Sequence, residues 1–234
     1  LKRCLENDPD HARAWLSLAV INVLQGEGAT ALSYAREAVA RDPENPDTHY
    51  WYGRALIMTG EPERAQEHWE KGLALSQRHV GILEGLARLS MDQGQDAKAY
   101  NLLNQLQMQG VDDAWIHRLL ADLARRKGLW NQALLHWKDA VDRAGETGGN
   151  LAVLGELAIL AGRKQEAVEI FQRAVAIDPS AATWGGLGEA WFAVDEVDSA
   201  EVALRRAVDL DPQDPRHHYN LANVLEIQGD FEEA

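Results

Sequence analysis

Histidine is the residue type in this chain best suited to bind a metal or transfer protons, and there are eight of them. His49, His117 and His218 recur at one position of a regular spacing, which tryptophan and leucine occupy elsewhere. We therefore interpret it as a packing position. These histidines are separated by two or more units of the spacing, so we expect no shared metal, whose ligands lie at ~2 Å. His68 and His136 share a second position and receive the same interpretation.

Other catalytic patterns are missing from the sequence. It contains no G-x-S-x-G, no H-E-x-x-H and no Walker-type Gly-Lys-Ser/Thr. The run Trp-Gly-Gly-Leu-Gly at 184–188 lies inside a helical pattern rather than after a strand, so it predicts a thinned helix surface and not a phosphate site. The single cysteine, Cys4, excludes an internal disulfide. We therefore expect no catalytic site, no metal site and no cofactor.

Composition narrows the choice of partners. Asp and Glu number 37 against 23 Lys and Arg, and the formal charge of −14 argues against nucleic acid. No apolar run approaches the ~20 residues of a membrane span, so we expect no membrane insertion. The chain begins with Leu1 and shows no signal peptide. We expect that the true N-terminus is missing, which leaves the compartment open between the cytoplasm, which we favour, and the periplasm.

An internal repeat in the sequence predicts the secondary-structure elements that position these residues. Alanine recurs every 34 residues, with one step of 33, at Ala31, Ala65, Ala99, Ala133, Ala167, Ala200 and Ala234. Glycine follows the same spacing, with an interruption at Asp195, at Gly26, Gly60, Gly94, Gly128, Gly162 and Gly229. Apolar residues between these markers have the 3.6-residue period of helices. Each unit therefore predicts two short helices, with glycine ending the first and an Asp-Pro turn ending the second.

This arrangement resembles the tetratricopeptide repeat family over essentially the whole chain. Residues 181–214 carry the pattern most completely, as Trp184, Leu187, Gly188, Trp191, Ala200, Leu204, Ala207 and Pro212. The resemblance implies an all-α fold, a right-handed superhelical solenoid of antiparallel helix pairs. We expect one array of partial repeat 1–11, complete repeats 12–45, 46–79, 80–113, 114–147, 148–181 and 181–214, and partial repeat 215–234. Because both ends fall inside a repeat, we expect the chain to be a fragment of a longer protein.

Two local expectations depend on this register. Ala99, Ala133 and Ala167 should be buried where the two helices of a repeat meet. Residues 145–150 read Gly-Glu-Thr-Gly-Gly-Asn and lack the proline found at other boundaries. That segment is either an ordinary loop or a looser joint between the fourth and fifth repeats.

The resemblance also implies a concave groove, lined by the first helix of each repeat, in which an extended partner segment binds. Matching positions in the central repeats carry Tyr50, Arg54, Arg88, Trp115, Arg118, Asp122 and Arg125. Their surplus of arginine predicts an acidic partner segment with an aromatic or apolar anchor. The alternative is that these arginines only balance nearby carboxylates. The Lys/Asn clamp that some family members use for chaperone tails is not reproduced.

We therefore predict a non-catalytic protein-interaction scaffold, which binds an extended or helical partner segment in its groove. One alternative is the recognition or regulatory arm of a larger enzyme such as a glycosyltransferase. Another is a scaffold that assembles with itself through exposed repeat faces.

Overall fold

The computed structural model describes residues 1–229, which form 14 α-helices and no β-strand. The chain divides into two compact units, Leu1–Asp112 and Asp113–Ala234. The first unit contains seven helices: α1 (Lys2–Asn7), α2 (Ala12–Leu24), α3 (Gly28–Arg41), α4 (Pro46–Met58), α5 (Pro62–Leu75), α6 (Val80–Asp92) and α7 (Asp96–Met108). The predicted all-α architecture of paired helices is confirmed.

The second unit has the same alternation of helices, described as far as Gly229. Its helices are α8 (Ala114–Arg126), α9 (Trp130–Ala144), α10 (Gly148–Leu160), α11 (Lys164–Ile177), α12 (Ala181–Ala193), α13 (Val197–Leu210) and α14 (Pro215–Gln228). The last five residues of the predicted partial repeat 215–234 lie outside the described residues. No helix in the described part of the chain is long and apolar enough to cross a bilayer.

Capping residues and turns determine where the helices begin and end. Asn45 and Asp214 cap α4 and α14, because their side chains accept backbone N–H bonds two residues on. Proline begins α4, α5 and α14, where its missing N–H leaves no bond unmade. The turn between α12 and α13 places Asp195 at φ 65°, whereas glycine takes this left-handed conformation in the equivalent turns. Asp195 therefore replaces glycine without changing the turn.

Small residues allow the paired helices to approach closely. Ala99, Ala133 and Ala167 are each completely buried, which confirms their predicted location. Within the first unit α2 packs on α3, α4 on α5 and α6 on α7, while α4 also contacts α2 and α6. The first helices of successive repeats therefore lie side by side and form a shared surface. We call the part formed by α2, α4 and α6 the helix-A surface of the first unit.

The glycines of 184–188 pack closely rather than thin the helix surface. A Cβ on Gly186 would collide with the ring of Phe171, and a Cβ on Gly185 would lie 2.7 Å from His217. Phe171 is 1% exposed and also contacts Gly155. The expectation of a thinned surface was wrong, because aromatic side chains fill the space that these glycines leave.

The segment 145–150 is a capped loop inside the second unit. Thr147 Oγ1 accepts a hydrogen bond from the Asn150 N–H at 3.1 Å, and Asn150 Nδ2 donates to the Gly145 carbonyl at 3.2 Å. The division into compact units falls instead at Asp112. These bonds hold the loop to the start of α10, and the alternative of a looser joint at 145–150 stays a prediction.

Candidate functional site

A cavity of about 300 Å³ opens on the helix-A surface of the first unit. It lies between α4 and α6, over a side chain from α5. Its walls carry apolar, cationic and acidic groups together, which is the mixture expected of a peptide-binding surface. The lining residues include Tyr50, Arg54, Ile57, Trp69, Glu84 and Arg88.

The floor of this cavity is Trp69, which is 3% exposed. Its indole Nε1 donates a hydrogen bond to the Tyr50 carbonyl at 3.0 Å. A Cβ on Gly53 would collide with the indole, and one on Gly85 would lie 2.9 Å from it. The glycines of α4 and α6 thus make room for a flat aromatic surface beneath the cavity. Gly81 does the same for the Tyr50 ring, which a Cβ would approach to 2.7 Å.

Arg54 supplies the available positive charge at the cavity. Its Nη1 donates to the Tyr50 hydroxyl at 2.9 Å, and its guanidinium carbon lies 5.9 Å from the ring centres of Tyr50 and Trp51. Among residues 1–229 no carboxylate is paired with it. The side chain is exposed, so four of its five N–H donors are able to contact a ligand carboxylate.

Arg88, the second predicted arginine at this cavity, already has an acidic partner. Its Nε lies 3.0 Å from Glu84 Oε1, one helical turn earlier on α6. Tyr50, Arg54 and Arg88 are therefore brought together by the structure, as predicted. For Arg88, the alternative that arginines balance neighbouring carboxylates describes the observed contact.

The other four predicted residues all lie on α8, in the second unit. Arg125 pairs with Asp122 at 3.3 Å, so this arginine also balances a neighbouring carboxylate. Arg118 contacts Asn150 Oδ1 at 3.4 Å, and its guanidinium carbon lies 5.9 Å from the Trp137 ring centre. Trp115 is half-buried at the first turn of the helix. These side chains form a second group, described separately from the cavity in the first unit.

Aromatic N–H groups hold the Asp-Pro turns in both units. Trp15 Nε1 donates to the Pro9 carbonyl at 2.8 Å, and His49 Nε2 does the same to Pro43 at 2.9 Å. His218 Nε2 makes the equivalent bond to Pro212 at 2.9 Å. The predicted packing role is confirmed for the buried His49. His218 is exposed among the described residues, and its packing role stays a prediction.

A histidine pair lies inside the α4–α5 repeat. His49 Nδ1 is 3.1 Å from His68 Nδ1, and the two rings are stacked. Since the Pro43 carbonyl can only accept, His49 Nε2 carries its proton and His49 Nδ1 accepts from His68. Burial lowers the pKa of His68 to about 4, and His49 and Lys71 act in the same direction. His68 is therefore neutral at physiological pH.

The equivalent histidine pair in the α8–α9 repeat lies beside a carboxylate. One ligand atom from each of His117, His136 and Asp139 lies within 4.8 Å of the others. His117 Nδ1 is 3.7 Å from Asp139 Oδ2. Burial lowers the pKa of His136, His117 acts in the same direction, and Asp139 opposes them.

The sequence analysis missed both pairs. Histidines at the equivalent position of different repeats are too far apart to share a ligand, so that comparison reveals neither pair. The signal that could have found them is the separation of 19 residues, which joins a helix-A position to a helix-B position of the same repeat. The two short helices of a repeat fold back on each other, so residues at this separation meet.

The helix pairs, the small residues between them and a cavity on the shared helix-A surface define an α-helical repeat protein. Models of the tetratricopeptide repeat match residues 22–72, 60–123, 118–182, 158–224 and 215–234. The chain belongs to the tetratricopeptide repeat family. Members of this family bind protein or peptide partners, and this fold is in general a protein-interaction scaffold without catalytic activity.

Two curated relatives align along nearly the whole chain. Cellulose synthase 2 operon protein C of Komagataeibacter xylinus is 28% identical, over 97% of this chain and 18% of the relative. Cellulose synthase 1 operon protein C of the same organism is 27% identical, over 93% and 15%. The chain therefore spans less than a fifth of the length of either relative.

Solved structures show the same fold. YrrB, described as a tetratricopeptide repeat protein with an unusual peptide-binding site, superposes with a TM-score of 0.71 at 17% identity, covering 79% of this chain and 96% of its own. Pseudomonas aeruginosa pilF superposes with a TM-score of 0.73 at 16% identity, covering 91% and 97%. These similarities define the architecture of the chain.

Proposed function

We propose that the chain binds an extended segment of a partner protein along its helix-A surface, with the cavity between α4 and α6 as the anchoring site. The observation that carries this proposal is Arg54, which stands over an aromatic floor with no carboxylate paired to it in the described residues. Tyr50 holds the guanidinium in place through its hydroxyl.

The chemistry of the cavity favours an aromatic or apolar anchor beside an acidic residue. The anchor would rest on Trp69 between the walls of α4 and α6, where it buries apolar surface. The acidic residue would bind Arg54. Arg88 would contribute only by releasing Glu84 and binding the ligand in its place. Exposed ion pairs contribute only ~0–1 kcal/mol each, so burial of the anchor must supply most of the affinity.

The second predicted group, on α8 in the second unit, is proposed as a separate contact with the partner. Arg118 and Trp115 are the members best suited to this role, since Arg125 is paired with Asp122. Their contribution stays a prediction, because it depends on how far the bound segment reaches.

Site-specific cross-linking tests the location directly. Random peptides displayed on phage are selected on the chain, and a benzophenone amino acid then replaces Ile57, which lines the cavity and is 40% exposed. The control position is Tyr100 on α7, which is 46% exposed and does not line this cavity. We expect the selected peptide to cross-link at 57 and not at 100. Equal cross-linking at both positions would contradict the proposal.

A second candidate function is the recognition arm of an assembly that makes a glycan. It is favoured by the two relatives named as cellulose synthase operon proteins, which align over nearly all of this chain. In-frame deletion of these residues in the native gene should then reduce glycan synthesis without reducing the amount of the glycosyltransferase. Unchanged synthesis would reject this candidate and leave the general scaffold proposal standing.

A further inference from the structure

The repeat formed by α8 and α9 brings together three side chains of the kinds that bind transition metals. His117 comes from α8, and His136 and Asp139 come from α9. His136 and Asp139 lie three residues apart, so they project from the same face of their helix. One ligand atom from each side chain lies within 4.8 Å of the other two.

The cluster is largely enclosed by the protein. The His117 side chain is 6% exposed, and Asp139 is 38% exposed. His136 Nδ1 is buried and has no hydrogen-bond partner in the described residues. A buried ring nitrogen without a partner is costly, so it points to an interaction that a ligand would supply.

Asp139 has one carboxylate oxygen directed at each of two neighbours. Its Oδ2 lies 3.7 Å from His117 Nδ1, and its Oδ1 lies 3.9 Å from Arg143 Nη1. The oxygen beside the histidines can therefore bind a cation while the other keeps its contact with Arg143. Arg143 Nη1 donates its hydrogen bond to the Asp139 backbone carbonyl at 2.7 Å, so its effect on the carboxylate is electrostatic.

The equivalent repeat in the first unit shows what distinguishes this cluster. His49 and His68 occupy the two histidine positions there, but Lys71 stands where Asp139 stands. His68 and His49 bond to each other at 3.1 Å, and His49 is also held by Pro43. His117 and His136 have ring centres 6.3 Å apart, compared with 5.3 Å in the first unit. The second pair therefore leaves more space and adds a negative charge.

We propose that His117, His136 and Asp139 bind one Zn²⁺ ion, which bridges the two helices of this repeat. Two imidazole nitrogens and one carboxylate oxygen are ligands that zinc accepts in a four-coordinate site. To bind the ion, the ligand atoms would move from these separations to a bonding distance of ~2.0–2.2 Å from the metal. Water would occupy the fourth position, on the side where Asp139 meets solvent. The bound ion would tie α8 to α9.

Cobalt binding to the full chain provides the test, because Co²⁺ in a site of this kind has a visible absorption band that Zn²⁺ abolishes on competition. We expect one saturable Co²⁺ per chain, displaced by one equivalent of Zn²⁺. Removing an outer partner of a ligand typically weakens metal binding ~10–100-fold, so removing a ligand should cost at least ~10-fold. Asp139→Asn, at a half-exposed position, and His136→Gln should both show this loss.

A matched pair of controls separates the site from general surface binding. Asp142→Asn removes an exposed carboxylate from the same helix, and His218→Gln removes an exposed histidine. Both should bind Co²⁺ with unchanged affinity. Zn²⁺ should also raise the melting temperature of the parent and of Asp142→Asn, but not that of Asp139→Asn. Absence of a saturable cobalt band, or equal affinities for Asp139→Asn and Asp142→Asn, would overturn the proposal.

Discussion

Trp69 donates its indole Nε1 proton to the backbone carbonyl of Tyr50 at 3.0 Å, which joins α5 to α4 beneath the cavity. The equivalent residue in the second unit, Trp137, instead donates to the Asn150 carbonyl of the following helix at 2.9 Å. The residue beside the indole also differs between the two repeats. Gly53 makes room for the Trp69 indole, whereas Ala121 occupies the equivalent position in the second unit. The methyl group of Ala121 thus coincides with a change in the helix that accepts the tryptophan hydrogen bond.

Gly53→Ala should therefore destabilise the first unit. A Cβ at this position collides with the buried indole, and overpacking of this kind typically costs ~1–3 kcal/mol. The measurement is the urea midpoint, followed by tryptophan fluorescence and by circular dichroism. Gly149→Ala is the control, because it lies in the first turn of α10 with no atom within 4 Å of the added Cβ. Equal midpoints for both variants would show that the indole is not confined by Gly53.

Asp195→Gly should stabilise the second unit by about 0.5–1 kcal/mol. Asp195 is held at φ 65°, a conformation that costs residues with a Cβ but not glycine. Part of this gain is offset because glycine gives the unfolded chain more freedom. Thermal unfolding at fixed concentration measures the effect. The matched substitution Gly128→Ala, at φ 68°, should have the opposite sign, and a fall in stability for Asp195→Gly would contradict this account.

Stability should decline as the pH falls from 6.5 towards 4, because His68 is neutral in the folded state. Its folded pKa is about 4, below the ordinary value of 6.5, so the unfolded chain binds more protons in this window. The stabilisation is complete above pH 6.5 and is lost as the pH falls through the folded pKa. Because the His68 side chain is only half-buried, we expect it to contribute ~1–2 kcal/mol to the free energy of unfolding. This is less than the full pKa shift would give.

His68→Gln removes the titrating group and should flatten this part of the pH profile, measured as urea midpoints between pH 7 and pH 4.5. His218→Gln removes an exposed histidine and should leave the slope of the parent. If His68→Gln retains the full slope, another group is responsible for it.

Most of the fold follows from local patterns, while the hydrogen-bond partners of individual side chains on other helices do not. The alanine and glycine spacing predicts which helices pair. Each glycine marks a turn, and each alanine, such as Ala133, marks a contact between the two helices of its repeat. The pairing of Arg88 with Glu84 could have been found from their separation of one helical turn. Whether Trp69 bonds to its own repeat or to the next depends on Gly53 across the helix pair, which no single-helix pattern contains.

If the zinc proposal is right, Lys71→Asp should create a second metal site in the first unit. The change places a carboxylate beside His49 and His68, at the position of Asp139 in the second unit. It also removes the positive charge of Lys71, which opposes metal binding at that position. Titration with Co²⁺ should rise from one to two equivalents per chain, whereas Lys71→Asn should stay at one. A single equivalent for Lys71→Asp would show that the carboxylate position alone does not define the site.

The most direct test of the central claim is the affinity of a phage-selected peptide for Arg54→Glu compared with Arg36→Glu. Both variants change the net charge equally, and both residues are exposed, but Arg36 lies on α3 and does not line the cavity. Isothermal titration at physiological salt should show at least ~10-fold weaker binding for Arg54→Glu, or ~1.4 kcal/mol, and no change for Arg36→Glu. Equal affinities for the two variants would contradict the assignment of the cavity between α4 and α6 as the partner-binding site.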